Sequence, residues 1–222
     1  MYTIATTINK GGVGKTMLTK SLATAAATEG FAVLILDMDT QQNATSWGRR
    51  RTKQHDKPLP LTKFTTEHDL VEELYVARKA GCDFVFIDTP PGRNSEAPAA
   101  VECSDLVLIP FWNDQDSYDG VAKTAGLVRR IGKPAFGVLN FATPNSRSHE
   151  ETARTVLEAI PLPLAPVVLH RYDIHRLANI KGLTAQELEP GSVPAAEIEE
   201  LWKWVSANVQ VSKSANVHKG AA

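Results

Sequence analysis

Only two cysteines, Cys82 and Cys103, occur in the 222 residues, and they form no paired spacing. That argues against a disulfide scaffold or a zinc knuckle and suits a reducing cytosol. An excess of charge of one sign is also missing. Twenty-four Lys and Arg face 25 Asp and Glu, for a formal net charge of −1. Net charge therefore does not advertise nucleic acid, and any basic patch must be local. No apolar run approaches the roughly 18 residues of a membrane span. The opening "MYTIATTINKGG" has no basic flank before a long apolar core, so no signal peptide is expected. There is no internal repeat. What is present is 43% hydrophobic and 22% charged residues, a soluble globular profile in a chain long enough for a sizeable core.

The chain alternates between two kinds of segment. Residues 2–8, 32–36, 83–88, 105–110, 134–140 and 164–169 are apolar and rich in β-branched side chains, as buried strands are. Between them, residues 15–29, 66–80, 117–131 and 148–159 read as helices, and Gly30 is a stop signal for the first. Continuous apolar strands alternating with helices predict an α/β fold: a doubly wound, mostly parallel sheet with helices on both faces. A last helix is expected over 194–209. A single domain is assigned to 1–209, with 210–222 as an unstructured polar tail. Polar residues cluster just after the strands, at Asn9, Asp37, Asp88 and Asn140, where ligands bind in open α/β sheets.

The most informative stretch is "TINKGGVGKTML", residues 7–18. A Gly-rich turn between a strand and a helix turns backbone N–H groups toward an anion, and the helix N-terminus adds partial positive charge. Gly11, Gly12, Val13, Gly14, Lys15, Thr16 and Met17 form such a cradle. Lys15 would neutralise β- and γ-phosphates, and Thr16 offers a hydroxyl to Mg²⁺. The usual first glycine of the pattern is replaced by Asn9, and a second lysine, Lys10, precedes the paired glycines. "LILDMDTQQNAT" (34–45) places Asp37 and Asp39 at the end of the second strand, and "FVFIDTPPG" (84–92) places Asp88 at the end of the third. Strand-end carboxylates beside such a loop can hold Mg²⁺, usually through water. Asp37, Asp88 and Thr16 are the candidate metal group, and Asn140 is a further candidate contact to nucleotide.

With these three motifs quoted, the sequence resembles the ParA family of partition ATPases, in the deviant-Walker group that includes MinD and the nitrogenase iron protein. The resemblance runs from residue 1 to about 205. It implies ATP and Mg²⁺ as cofactors and a homodimer that sandwiches two ATP molecules. It implies that Lys10 reaches across to the partner's phosphates, that Lys15 acts in cis, and that Asp39 positions the attacking water. These three are the expected catalytic residues. A cation supplied across the interface stabilises charge on the transferred phosphoryl group. The resemblance also implies a cytoplasmic, nucleoid-associated protein. Its ATP-bound dimer would bind double-stranded DNA without sequence preference, and a ParB-type adaptor or other cargo-bound activator would release it. The small class of the family lacks an operator-reading domain, and this sequence resembles that class.

Some positions depart from the family. Met17 stands where a second threonine is frequent, which removes one side-chain contact to the α-phosphate. Thr40 stands where proline is usual, and "FWNDQDSYDG" (111–120) is more acidic than the usual loop. For DNA, "HRYDIHRLANIKG" (170–182) carries Arg171, Arg176 and Lys181, with Lys203 extending the patch; "WGRRRTK" (47–53) is the rival basic run. The stripe Ile198, Leu201, Trp202, Val205, Val209 invites comparison with a membrane-binding helix. Glu197, Glu199 and Glu200 oppose that, so packing on the sheet is expected and no membrane partner. The two cysteines read as packing residues rather than cluster ligands. The predicted function is partition of a plasmid or chromosome locus, with a protein cargo or a membrane-associated positioning role as alternatives.

Overall fold

A computed structural model describes the backbone of residues 1–92, 95–144 and 147–219; side chains are described through residue 209 apart from position 147. In chain order the elements are β1 (Tyr2–Thr6), α1 (Lys15–Thr28), β2 (Val33–Asp37), α2 (Asn43–His55) and β3 (Leu61–Phe64). There follow α3 (Leu70–Lys79), β4 (Phe84–Asp88), α4 (Glu96–Cys103), β5 (Leu106–Phe111), α5 (Gln115–Ile131) and β6 (Ala135–Leu139). Four helices complete the described chain: α6 (Arg147–Ala159), α7 (Asp173–Ile180), α8 (Ala185–Leu188) and α9 (Val193–Lys219).

The six strands form one sheet in the order β3-β2-β4-β1-β5-β6, with every pairing parallel. β2, β4 and β5 are buried along their whole length, which explains their uninterrupted apolar runs. Clusters on both faces seal the sheet. One joins α1 and α9 through Leu18, Leu22, Ala26, Leu201, Trp202 and Val205. The α9 stripe Ile198, Leu201, Trp202, Val205, Val209 is at most 1% exposed. Trp202 meets Phe84 edge-on at 5.0 Å between ring centres. That stripe is core, and no described helix is long and apolar enough to cross a membrane. Cys82 and Cys103 pack against a second cluster that holds Val85 and Ile87.

Four segments differ from the sequence reading. Residues 164–169 are not a strand. They run beside β6 through isolated parallel bridges, Gly137 to Leu164 and Ala142 to His170. Pro163 and Pro166 have no N–H to give, so a continuous ladder cannot form. α2 was read as a basic run, and β3 was not read at all. α9 is described as continuing to Lys219, past residue 209, where the sequence reading ends the domain.

Register places the site. Thr6 of β1 pairs with Asp88 of β4, and Asp37 of β2 pairs with the same Asp88. The phosphate-loop strand, the metal candidate and the D-x-D strand therefore end side by side at the centre of the sheet.

Candidate functional site

The loop from Asn9 to Gly14 ends in α1, whose N-cap Gly14 is left-handed at φ 88° and supplies no side-chain cap. No side chain takes up the first N–H groups of α1, which leaves them for an anion. Gly14 also has no room for a side chain. A Cβ there would lie 2.7 Å from the Phe141 ring and would collide with the Asn140 amide. Asn140, the further candidate contact to nucleotide, lies against the loop. It is fully buried and donates its amide to the Val13 carbonyl at 2.8 Å. Its physical role is to brace the loop, because strand β6 ends directly beneath it.

The two lysines of the loop part company. Lys15 is buried; its Nζ donates to the carbonyls of Lys10 at 3.0 Å and Ile8 at 3.4 Å, inside the curve of the loop. Burial lowers its pKa, while Asp88 and Asp39 pull the other way. Lys10 turns outward. Its ammonium meets Asp116 of α5 at 2.8 Å, and that carboxylate is 80% exposed. The hydrogen bond to Asp116 raises the pKa of Lys10.

Asp88 is fully buried at the foot of α1. Thr19 Oγ1 stands 3.5 Å from its Oδ1, and Oδ2 has no hydrogen-bond partner among the described residues. Burial pushes this carboxyl up to about 7; the Thr16 hydroxyl opposes that, Asp37 adds to it, and Lys15 and Lys20 oppose it. Asp37 uses its oxygens on the chain that follows it: Oδ1 accepts the Asp39 N–H at 3.2 Å and Oδ2 the Thr45 N–H at 2.8 Å. It satisfies the start of α2, while burial raises its pKa. Asp39 is half-buried and accepts the Gln41 N–H at 2.9 Å in a tight turn. Asp88 Oδ2 is the one carboxylate oxygen of Asp37 and Asp88 without a protein partner, which fits a cation or its water at that point.

A cavity of about 420 Å³ opens beside Thr16 and Met17 and runs under α2 and α7. Trp112, Phe141 and Tyr172 give it aromatic walls. Arg171 and Arg176 line it too, so the structure brings these two together beside the phosphate loop, while Lys181 and Lys203 are exposed outside it. Lys20, Arg50 and His175 also line it; Lys20 is not singled out by the sequence reading, while Arg50 and His175 fall in its two basic runs. A signal existed for Lys20, the only charged residue between Thr16 and Thr28. The rival basic run is half structural. Arg51 of α2 donates two parallel hydrogen bonds to the Glu187 carboxylate, at 2.5 and 2.6 Å, with both side chains under 10% exposed.

The nucleotide binding domain model described as CobQ/CobB/MinD/ParA matches residues 4–184. The chain belongs to that family. Maintenance of carboxysome distribution protein A from Halothiobacillus neapolitanus is 26% identical over 208 residues, covering 90% of this chain and 94% of that protein. The septum site-determining protein MinD of Pyrococcus horikoshii, solved with Mg-ADP, superposes with a TM-score of 0.72 at 18% identity, covering 95% and 98% of the two chains. McdA of Cyanothece, solved with ATP, gives 0.68 at 16% identity and covers 96% of each. ATP with Mg²⁺ is the cofactor pair of these family members, and the open N-terminus of α1, Lys15, Thr16 and the orphan Asp88 oxygen fit it here.

Proposed function

We propose that this member of the ParA/MinD ATPase family is a positioning ATPase in which ATP builds the dimer. The observation that carries this reading is the division of labour between the two loop lysines. Lys15 lies inside the loop, where cis phosphates sit. Lys10 faces out and pairs with an exposed carboxylate, Asp116, so its ammonium is available to a second subunit. Such an exposed pair contributes little to stability and is easily exchanged for a phosphate.

The phosphates would rest on the N–H groups of Gly11 to Thr16, with Met17 and the aromatic walls of the cavity next to the sugar and base. Thr16 and Asp88 would hold Mg²⁺, the latter through water. The ion neutralises charge on the β- and γ-phosphates. Asp39, on the turn above, would orient the attacking water, and Lys10 of the second subunit would complete the charge balance. Asp37 holds the turn that carries Asp39.

The ATP-bound dimer coats double-stranded DNA without sequence preference, through basic residues doubled by dimerisation. Lys181 and Lys203 are exposed candidates, and Arg171 and Arg176 stand at a cavity mouth from which one side of each can still reach outward. A cargo-bound activator of ParB type then triggers hydrolysis and release. The cargo is a plasmid or chromosome locus. A protein compartment is the second reading, favoured by the end-to-end likeness to the carboxysome distribution protein.

The test is a fluorescent fusion imaged against a DNA stain. The wild type should coat the nucleoid, and Lys15→Ala should be diffuse. Equal nucleoid coating by both would overturn the reading.

A further inference from the structure

The cavity beside the phosphate loop is more basic than an adenine nucleotide requires. Adenine and ribose are neutral, yet Lys20, Arg50, Arg171 and Arg176 all line it, and Asp173 is the only carboxylate among its lining residues. Three of the inner groups have no ion-pair partner within hydrogen-bond reach among the described residues, although Asp88 and Asp37 attract Lys20 from further off and Arg50 Nη2 donates to the Asn179 carbonyl at 3.3 Å. Lys20 is 7% exposed, and its Nζ meets a neutral amide, Asn179 Oδ1, at 2.6 Å, with the Trp47 ring centre 5.6 Å away. Arg50 has a buried Nε with no hydrogen-bond partner among the described residues. His175 is 8% exposed, and neither of its ring nitrogens has one. Burial lowers the pKa of both Lys20 and His175. A buried donor left without an acceptor destabilises the fold, so the unmet nitrogens of Arg50 and His175 leave room for an acceptor from outside the chain.

We propose that the inner arm of this cavity, built by Lys20, Arg50 and His175, binds a phosphate group additional to those on the phosphate loop. The phosphate is carried on the ribose of the bound nucleotide or enters as inorganic phosphate. Its acceptor oxygens match an ammonium and a guanidinium together, which a neutral hydroxyl does not. Position agrees as well. Lys20 is one helical turn beyond Thr16, about 6 Å along the axis of α1, the scale that separates a ribose substituent from the 5′-phosphates. The location rests on the nucleotide reading above; the chemistry of the arm does not.

Calorimetry on the intact chain with Mg²⁺ tests this. ADP is compared with 3′-phospho-ADP, and inorganic phosphate is titrated into both the ADP complex and the empty protein. For wild type, 3′-phospho-ADP should bind about tenfold tighter than ADP or more. In Lys20→Met, whose thioether can still pack on Trp47, the ratio should fall to about one; His175→Gln serves as a second variant. If inorganic phosphate binds the ADP complex in a Lys20-dependent way while 3′-phospho-ADP gains nothing, the free source is the right one. If neither probe binds beyond ADP, the proposal is overturned and the cations only staple α2 to α7. If ADP itself fails to bind, the nucleotide reading falls, and phosphate binding to the empty protein still decides this one.

Discussion

Replacing Asp88 by Asn should stabilise the empty protein at alkaline pH while weakening its hold on Mg²⁺ and nucleotide. Asp88 is fully buried, and burial raises its pKa from 3.8 to about 7. A shift of about 3 units corresponds to about 4 kcal/mol between the two protonation states. The direction follows from linkage. An acid whose folded pKa lies above its unfolded value favours the fold below about pH 4, and that contribution is lost as pH rises through about 7. At pH 8 the empty protein therefore carries a strained carboxylate. Asn removes that charge, but Lys15 and Lys20 lose the attraction that now raises their pKa values. The net gain should be nearer 2 kcal/mol, or about 4–8 °C in Tm for a domain of this size. Thermal unfolding of the nucleotide-free protein at pH 5 and pH 8 measures it. The wild type should lose stability across that interval, and Asp88→Asn should lose less. An Asn variant less stable than wild type at pH 8 would refute the reasoning. It would mean that the carboxylate is already satisfied inside the fold.

Gly14→Ala should cost about 3 kcal/mol of stability, because it combines a left-handed backbone at φ 88° with a collision against Asn140 and Phe141; urea titration reads it. Asp39→Ala should bind ATP and dimerise normally, yet lose about a hundredfold in activator-stimulated turnover, measured by phosphate release. Replacing Arg171 and Arg176 together by Ala should weaken ATP binding about tenfold, because both line the cavity beside Met17. Anisotropy on two unrelated duplexes at several salt concentrations separates this from a direct DNA role. Lost DNA affinity with unchanged ATP affinity would return both arginines to the DNA face.

The central strands were legible because burial on both faces leaves a plain apolar signature; β4 shows it as "FVFID" and β2 as "VLILD". The loop and α1 were legible because glycine and lysine spacing reflects local backbone demands. α2 was not, since its helical form is fixed by distant partners: Trp47 donates to the Leu183 carbonyl, and Arg51 pairs with Glu187. β3 is a four-residue edge strand whose side chains alternate between exposed and half-buried, too short to stand out. Residues 164–169 misled because their apolar pattern reflects burial beside β6, while the prolines forbid a ladder. For the site, strand-end Asp88 could be placed from sequence, but the bracing role of Asn140 and the turn from Arg171 toward the cavity depend on tertiary contacts that spacing does not encode.

The central claim is that Lys10 acts across a nucleotide-built interface. Light scattering with Mg²⁺ and a slowly hydrolysed ATP analogue tests it most directly, comparing wild type with Lys10→Ala. The account predicts a dimer for the wild type and a monomer for the variant, with analogue binding to the variant partly retained through Lys15. A Lys10→Ala dimer as stable as the wild type would contradict it.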